Sequence, residues 1–200
     1  MAVKSWPAGI CPASVDIGLQ QDVQRTVSRS GKTSTFEMPG ARWVMTLTFR
    51  NTSERTKTER PRIEALVTSL RSGANRLLAP YFGRPVPNGT LRGTPRLDLP
   101  VIAGASTVAL RDCNGTLRAG DLIGLGAQVV MVEQDAAPVD GKMVVAVNPA
   151  VRAPQAAGTV ILWDRPNIQW VLQEKDATKF PYRPGQIRPS FSIELMEDYL

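Results

Sequence analysis

Short apolar runs separated by turn-forming residues dominate the middle of the chain, between residues 117 and 152. The runs are Leu122 to Leu125, Val129 to Val132 and Met143 to Val147, and Gly, Pro and Asp stand between them. Short apolar runs rich in β-branched residues and bounded by turn formers are typical of consecutive strands in a small antiparallel barrel or meander. We therefore predict a β module in this part of the chain.

Two glycine-containing dipeptides and two prolines delimit these predicted strands. Asp140-Gly141 predicts a tight hairpin, because both residue types tolerate the positive φ angles that such a turn requires. Gly120-Asp121 predicts a turn just before the first strand. Pro149 and Pro154 are expected to end the run, since proline cannot donate a hydrogen bond to a strand ladder.

Outside the module, the clearest strand is Arg42 to Arg50, with the sequence RWVMTLTFR. Successive side chains of a strand point to opposite faces, so alternation predicts one buried and one outer face. The predicted core face carries Trp43, Met45, Leu47 and Phe49. The outer face carries Arg42, Val44, Thr46, Thr48 and Arg50, and we expect it to meet either solvent or a protein interface.

One amphipathic helix is predicted from Thr58 to Arg71. Its apolar side chains fall at helical spacing on one face, namely Ile63, Leu66, Val67 and Leu70. We expect Thr58 to cap the helix, Pro61 to stand in its first turn and Gly73 to follow its end.

Among the remaining segments, 168–172 and 191–195 alternate cleanly and the others less clearly. Further strands are predicted around residues 17–29, 32–38, 76–82, 158–164, 168–172 and 191–195, with a turn at Ser30-Gly31. Residues Met1 to Asp16 are expected to form an irregular arm anchored by Trp6. Residues Gly83 to Pro100 have the proline-rich composition of a linker. The chain is therefore predicted to be mainly β, with a discontinuous domain (1–97 and 165–200) that holds an inserted domain (98–164).

Composition excludes several classes of chemistry. Histidine is absent, which removes the commonest general base and metal ligand. Cys11 and Cys113 lie far apart in sequence without a neighbouring cysteine, so no metal or redox motif is indicated; two free thiols are expected, and a disulfide requires that the fold bring them together. We expect no metal, no cofactor and no enzymatic activity.

Charge is distributed unevenly along the chain, whose formal net charge is +6. Between Arg42 and Arg96 there are eleven basic and three acidic residues, whereas Gly104 to Asp164 has four basic and six acidic ones. A basic surface is typical of nucleic-acid binding, and arginine is also common at protein interfaces. No apolar run is long enough for a signal sequence or a membrane span, so we expect no membrane association.

A series of features follows in a fixed order along most of the chain. They are the tryptophan-containing strand Arg42–Arg50, the helix leading to Leu-Arg-Ser-Gly at Ile63–Gly73, the aromatic-proline region Leu77–Pro87, the segments Asn114–Leu117 and Ala119–Asp121, Val147–Pro149, and Gly158. This order resembles the distal tail proteins of long-tailed siphophages, of the phage T5 type. The stretches LRAGDLIGLG and VAVNPAVR carry the most specific part of the likeness.

The resemblance implies a fold, an assembly and a location. The discontinuous domain would be a β-sandwich-like ring domain, and the inserted domain a small barrel of oligonucleotide/oligosaccharide-binding (OB) topology. Six copies would form a ring at the phage tail tip, joining the tail tube protein to the hub of the host-adsorption apparatus. DNA would pass through the lumen without specific binding, and the virion would assemble in the host cytoplasm. The family has no catalytic residues to transfer.

A ring predicts where subunits meet. We expect the outer face of the Arg42 to Arg50 strand and the N-terminal arm to form the subunit interface, through Arg42, Val44, Thr46, Thr48, Arg50 and Trp6.

Two alternatives remain open. An OB-type module that binds nucleic acid or saccharide is the first, although the predicted insertion is acidic and Trp163 is its only aromatic residue; binding of this kind usually uses aromatic stacking platforms. The second is a carboxylate-dependent glycosidase with Asp121 and Asp140 as its acids. Both of these residues stand beside glycine, where turn formation also accounts for them.

Overall fold

A computed structural model describes residues 1–21, 23–37, 40–49, 54–173, 180 and 190–198 of the chain. In these residues the protein is mainly β, with one α-helix and a barrel-like sheet. The predicted fold class, a mainly β chain with one helix and a small barrel, is confirmed at this level. The OB-like topology of the barrel stays a prediction.

The strands in chain order are β1 (Val3–Ser5), β2 (Ser14–Gln20), β3 (Val23–Val27), β4 (Thr33–Glu37), β5 (Arg42–Phe49), β6 (Arg76–Pro80), β7 (Arg96–Leu97), β8 (Thr107–Arg111), β9 (Leu122–Leu125), β10 (Gln128–Val132), β11 (Met143–Asn148), β12 (Ile161–Leu162), β13 (Asn167–Leu172) and β14 (Phe191–Glu197). The helix α1 spans Glu54–Ser69, and a short 3-10 turn follows at Arg71–Gly73. The chain divides into two compact units, residues 1–77 with 170–199 and residues 78–169.

A six-stranded sheet in the order β1-β6-β13-β14-β5-β2 provides the framework of the first unit. The predicted core face of β5 is buried, and β13 and β14 in the same sheet bury Trp170 and Leu195 in the same alternating way. The apolar stripe of α1 is also buried, including Val67 and Leu70. The alternation seen in the sequence thus identified this core, because a strand or helix with one apolar face must cover it.

The helix begins earlier than predicted. It starts at Glu54 rather than Thr58, so Thr58 is not at the cap position and Pro61 stands inside the helix instead of in its first turn. Glu, Arg and Lys in residues 54–57 have good helix propensity, which allows the helix to extend past the cap signal. The predicted start was wrong because Thr58 and Pro61 indicate the beginning of a helix only where the residues before them do not themselves favour a helix.

A buried arginine on α1 had not been recognised from the sequence. Arg60 is buried; its Nε donates to Glu64 Oε1 at 2.7 Å, and its guanidinium lies 5.3 Å from the centroid of the Phe191 ring. A cation held over an aromatic ring and paired with a carboxylate satisfies a buried charge. Arg60 therefore joins the helix to β14.

The N-terminal arm is also more regular than expected. Residues Val3–Ser5 form β1, and β2 begins at Ser14, inside the segment predicted to be irregular. The arm joins the sheet through its backbone, since Arg76 N donates to Ala2 O at 3.0 Å. Backbone pairing needs no alternation of apolar side chains, so the sequence pattern does not reveal it.

The second unit contains a nearly closed barrel of six strands in the order β12-β9-β10-β11-β8-β7. The segments at its two ends also pair with each other: Leu97 N donates to Thr159 O at 2.9 Å, and Ile161 N donates to Pro95 O at 2.9 Å. The three central apolar runs form β9, β10 and β11 almost as predicted, whereas the predicted strand 158–164 is reduced to β12.

The predicted hairpin turn between β10 and β11 is confirmed. Asp140 and Gly141 have φ angles of 51° and 75°, and Val139 and Lys142 exchange two backbone hydrogen bonds across them. Positive φ at both central residues is the type I′ geometry that Asp-Gly favours. The turn at Ser30-Gly31 is confirmed too, with Gly31 at φ 78°.

Residues 83–100 do not behave as a linker. Leu91 and Leu97 are buried in the barrel core, and β7 pairs with β8. The compact unit therefore begins at Leu78, before the start predicted for the inserted domain. The stretch forms bends and short bridges to the barrel. Its proline- and glycine-rich composition alone does not distinguish such a path from a flexible connection.

We expect Leu91→Ala to destabilise the barrel by about 2–5 kcal/mol, because it removes a fully buried side chain and leaves a cavity. Leu99→Ala is the matched control: Leu99 is 60% exposed, so its loss should change stability by no more than about 0.5 kcal/mol. Urea denaturation followed by circular dichroism measures both. Equal, small effects would show that residues 83–100 are a linker after all.

Candidate interaction surface

The outer face of β5 is polar and only partly open to solvent. Arg42, Val44, Thr46 and Thr48 are all half-buried, while Arg50 lies outside the described residues. Thr48 Oγ1 lies 2.9 Å from Ser192 Oγ, and Asp16 and Glu194 stand opposite Thr46 on the neighbouring strands. This outer face is therefore a mixed row in which carboxylates accompany hydroxyls.

Trp6 is held by its own chain. Its indole Nε1 donates to Ile10 O at 2.9 Å, and its ring stacks on Phe49 with centroids 6.4 Å apart. Phe49 in turn stacks on Phe191 at 5.0 Å. This aromatic row anchors the arm between β1 and β2 to the sheet. The role of Trp6 and of the β5 face in a subunit interface stays a prediction.

The strands β3 and β4 form a two-stranded sheet of their own. All five residues of β3 are exposed. At the tip, Ser28 N donates to Lys32 O at 2.9 Å, and Lys32 N donates to Ser28 Oγ at 3.1 Å. We call residues 23–37 the arm hairpin. The sequence predicted one strand over residues 17–29, which the structure divides into β2 and β3, and a second over 32–38, which contains β4.

The arm hairpin continues the edge of the first sheet. Gln20 pairs with Arg42 at the end of the β2–β5 ladder, and Val23 pairs with Glu37 at the start of the β3–β4 ladder. Two residues separate β2 from β3 in sequence, whereas four separate β4 from β5, so the register shifts between the ladders.

Large apolar side chains of the arm hairpin face solvent. Val27 is 65% exposed and Phe36 is 62% exposed. The pairs Val27–Thr33 and Gln24–Phe36 alternate across the ladder, so the two apolar side chains lie on opposite faces. Each face of the arm hairpin therefore exposes at least one large apolar side chain. An isolated two-stranded hairpin is at best marginally stable in water.

Asp121, nominated as a catalytic acid, is a structural residue. Its buried carboxylate accepts hydrogen bonds from three backbone N–H groups, those of Asn88 at 2.7 Å, Gly89 at 3.0 Å and Arg118 at 2.8 Å. These bonds hold the segment before β7 against the turn before β9. Asp140 is exposed at the tip of the β10–β11 hairpin. Each carboxylate is accounted for by a turn.

The described residues contain no cluster of three or more histidine, cysteine or acidic side chains able to hold a metal ion. In the same residues no helix is long and apolar enough to cross a membrane. Both cysteines are free, with Cys11 exposed and Cys113 buried. Burial, reinforced by the neighbouring Asp112 carboxylate, raises the pKa of the Cys113 thiol to about 11.

Trp163, the aromatic residue of the predicted insertion, is not an open stacking platform. Its indole Nε1 donates to Gly93 O at 2.9 Å, and the ring packs against the barrel core. The Arg92 guanidinium lies 5.2 Å from the ring centroid. A ring held between a core and a cation has no free face for a sugar or a base.

A comparison with protein-family models gives no match, and a search of curated proteins finds no significantly similar sequence.

We expect Asp121→Ala to lower the free energy of unfolding by about 3 kcal/mol or more, because three backbone N–H groups lose their acceptor in a buried site. Asp140→Asn is the control, since Asn also tolerates the positive φ of that turn. Urea denaturation compares the two variants. A loss below about 1 kcal/mol for Asp121→Ala would contradict the structural role.

We expect a thiol reagent at pH 8 to modify one cysteine per folded chain. Cys11 is exposed, whereas the Cys113 thiol is buried and its raised pKa leaves little reactive thiolate. Mass spectrometry after proteolysis identifies the labelled residue, and unfolding in urea should release the second thiol. Rapid labelling of Cys113 in the folded chain would contradict its burial.

Proposed function

We propose that this protein is a structural ring component of a long-tailed phage tail, of the distal tail type, and that copies of the chain associate through the arm hairpin. The observation that carries the proposal is the isolated β3–β4 sheet with Val27 and Phe36 exposed. Burial of these side chains against a second copy would remove apolar area from water, at about 25 cal/mol per Å². The order of sequence features described above supports the choice of family.

Association would use a hairpin from one copy and the sheet of the next. Such a head-to-tail contact differs from a two-fold contact because its two surfaces are unlike, and repeated rotation closes it into a ring. In sequence, β2 directly precedes the arm hairpin and β5 directly follows it, and β2 is the last strand in the order of the first sheet. We propose these, with the N-terminal arm, as the rest of the subunit interface.

The remaining parts of the proposal follow from the family. The ring would contain six copies, stand at the tail tip of the virion, and connect the tail tube protein to the hub of the host-adsorption apparatus. DNA would pass through its lumen without specific contacts. The protein would need no cofactor and catalyse no reaction, in agreement with the structural role of Asp121 and the turn position of Asp140.

A saccharide-binding module is the less favoured alternative. Such a site needs an aromatic face open to the sugar, whereas Trp163 packs on the barrel core and beneath Arg92. Among the described residues, the large exposed aromatic side chain is Phe36, which stands on the arm hairpin and not on the barrel. The exposed apolar groups thus favour association between copies.

The double variant Val27→Thr/Phe36→Thr tests the arm hairpin. Threonine keeps a high strand propensity while removing most of the exposed apolar surface, so the hairpin should persist and association should weaken by at least about tenfold. Sedimentation velocity over a range of concentration, with negative-stain electron microscopy, measures the assembly. Wild-type chains should form closed six-fold rings.

The control is Val139→Thr/Val144→Thr, which removes two valines of the barrel that are similarly exposed. Its assembly should match that of the wild type. Equal weakening by both double variants would point to non-specific apolar association. A wild-type chain that stays monomeric at every concentration and does not join purified tails would contradict the proposed function.

A further inference from the structure

Two arginines stand directly opposite each other on the barrel. The pairing of β7 with β8 places Arg96 across from Arg111, and both side chains point away from the core because Leu97 and Leu110 point into it. Side chains directly opposite on antiparallel strands have Cβ atoms about 5 Å apart. The two guanidinium groups therefore extend from neighbouring positions on one outer surface.

The surroundings of this pair leave most of its charge uncompensated. Arg111 Nε is 4.0 Å from Asp112 Oδ2, at the limit of an ion pair, and both side chains are well exposed. Within the part of the chain that the structure describes, Arg96 has no ion pair or hydrogen-bond partner for its side chain. Like charges directly opposite across strands destabilise a sheet, so this pair costs the barrel stability.

Three other cations of the same unit have closer partners. Arg118 forms a hydrogen-bonded ion pair with Asp135, and Lys142 Nζ is 3.0 Å from Asp98 Oδ2. The Arg92 guanidinium stacks on Trp163 and donates to the Leu91 carbonyl. The pair Arg96–Arg111 thus differs from its neighbours in having two cationic groups side by side.

Bare backbone adjoins the pair on the far side of β7. Arg111 Nη2 lies 3.7 Å from the position that a Cβ on Gly158 would occupy. Gly158 has a φ of 82°, which disfavours any other residue. The Arg111 side chain therefore reaches across β7 and lies over Gly158, where the absence of a side chain leaves room for the guanidinium.

We propose that Arg96 and Arg111 form a binding site for a phosphate group. A guanidinium presents a planar set of N–H donors that matches the oxygens of phosphate, and two such groups at neighbouring positions can engage one tetrahedral anion from two sides. The anion neutralises the repulsion between them. This inference is independent of the ring proposed above, because it rests on the barrel alone.

The phosphate can be free or belong to a phosphodiester chain, and the same experiment distinguishes the two. Inorganic phosphate is titrated into the full-length, ¹⁵N-labelled protein at constant ionic strength, with sodium chloride as the matched salt, and the Nε–Hε signals of the arginines are followed by NMR. Short oligothymidylate is titrated in the same way. Signals of Arg96 and Arg111 should shift and saturate with phosphate, whereas those of Arg118 should not.

Binding of oligothymidylate at least about tenfold tighter than phosphate, with affinity that falls as salt rises, would assign the site to a phosphodiester chain. Equal or weaker binding of the oligonucleotide would assign it to a single phosphate group. Either result supports the site. Absence of saturable shifts at Arg96 and Arg111 with both probes, or equal shifts at Arg118, would overturn it.

The variant Arg96→Glu separates binding from folding. It replaces a like-charged pair by an attractive one, so the thermal midpoint should stay the same or rise, while phosphate binding should weaken at least about tenfold. Arg118→Gln is the control, which loses an arginine paired with Asp135 and should bind phosphate like the wild type. A folded Arg96→Glu chain that binds phosphate unchanged would also overturn the proposal.

Discussion

The pairing of β14 with β5 is the interaction on which the first unit depends. β14 comes from the C-terminal end of the chain, yet it lies between β5 and β13 and hydrogen-bonds to both. Its register with β5 runs without interruption from Phe191 opposite Phe49 to Met196 opposite Val44. Without it, the sheet would separate into β1-β6-β13 and β5-β2. Pairing two strands so far apart in sequence is costly in loop-closure entropy. Burial of the apolar face that β5 and β14 share compensates for that cost.

In the second unit, a single carboxylate has a comparable role. Asp121 gathers three backbone N–H groups from two separate segments, which fixes the approach to β7 beside the turn before β9. The barrel is nearly closed by β7 and β12, both only two residues long. Strands of two residues make few hydrogen bonds to their neighbours, so other contacts must hold the segments that flank them in place. A residue with the appearance of a catalytic acid thus stabilises the fold.

Both proposals concern features that reduce the stability of the isolated chain. In the described residues the arm hairpin is a two-stranded sheet of its own with exposed apolar side chains, and Arg96 lies opposite Arg111 on the barrel. Apolar groups in water and like charges side by side are unfavourable in a monomer. A partner would bury the apolar groups or neutralise the charges, so each unfavourable contribution to the free energy would become a favourable one. The arm hairpin is proposed to bind a second copy of the chain and the arginine pair a phosphate group, and the two features lie in different units.

The sequence by itself determined the local structure. Alternation identified the core faces of β5, β13 and β14, the apolar stripe identified α1, and Asp140-Gly141 identified a hairpin turn. These three features are local, because each depends only on residues that are close together in sequence. Only the tertiary structure decided which strands pair, that β3 and β4 leave the sheet, that residues 83–100 belong to the barrel, and that Arg96 faces Arg111. Strand pairing and register depend on backbone hydrogen bonds between segments that are far apart in sequence. Because every residue except proline offers the same backbone donor and acceptor, the side-chain sequence does not specify which segments pair. A pattern of side chains therefore predicts which face of a strand is buried, but it does not specify the partner strand.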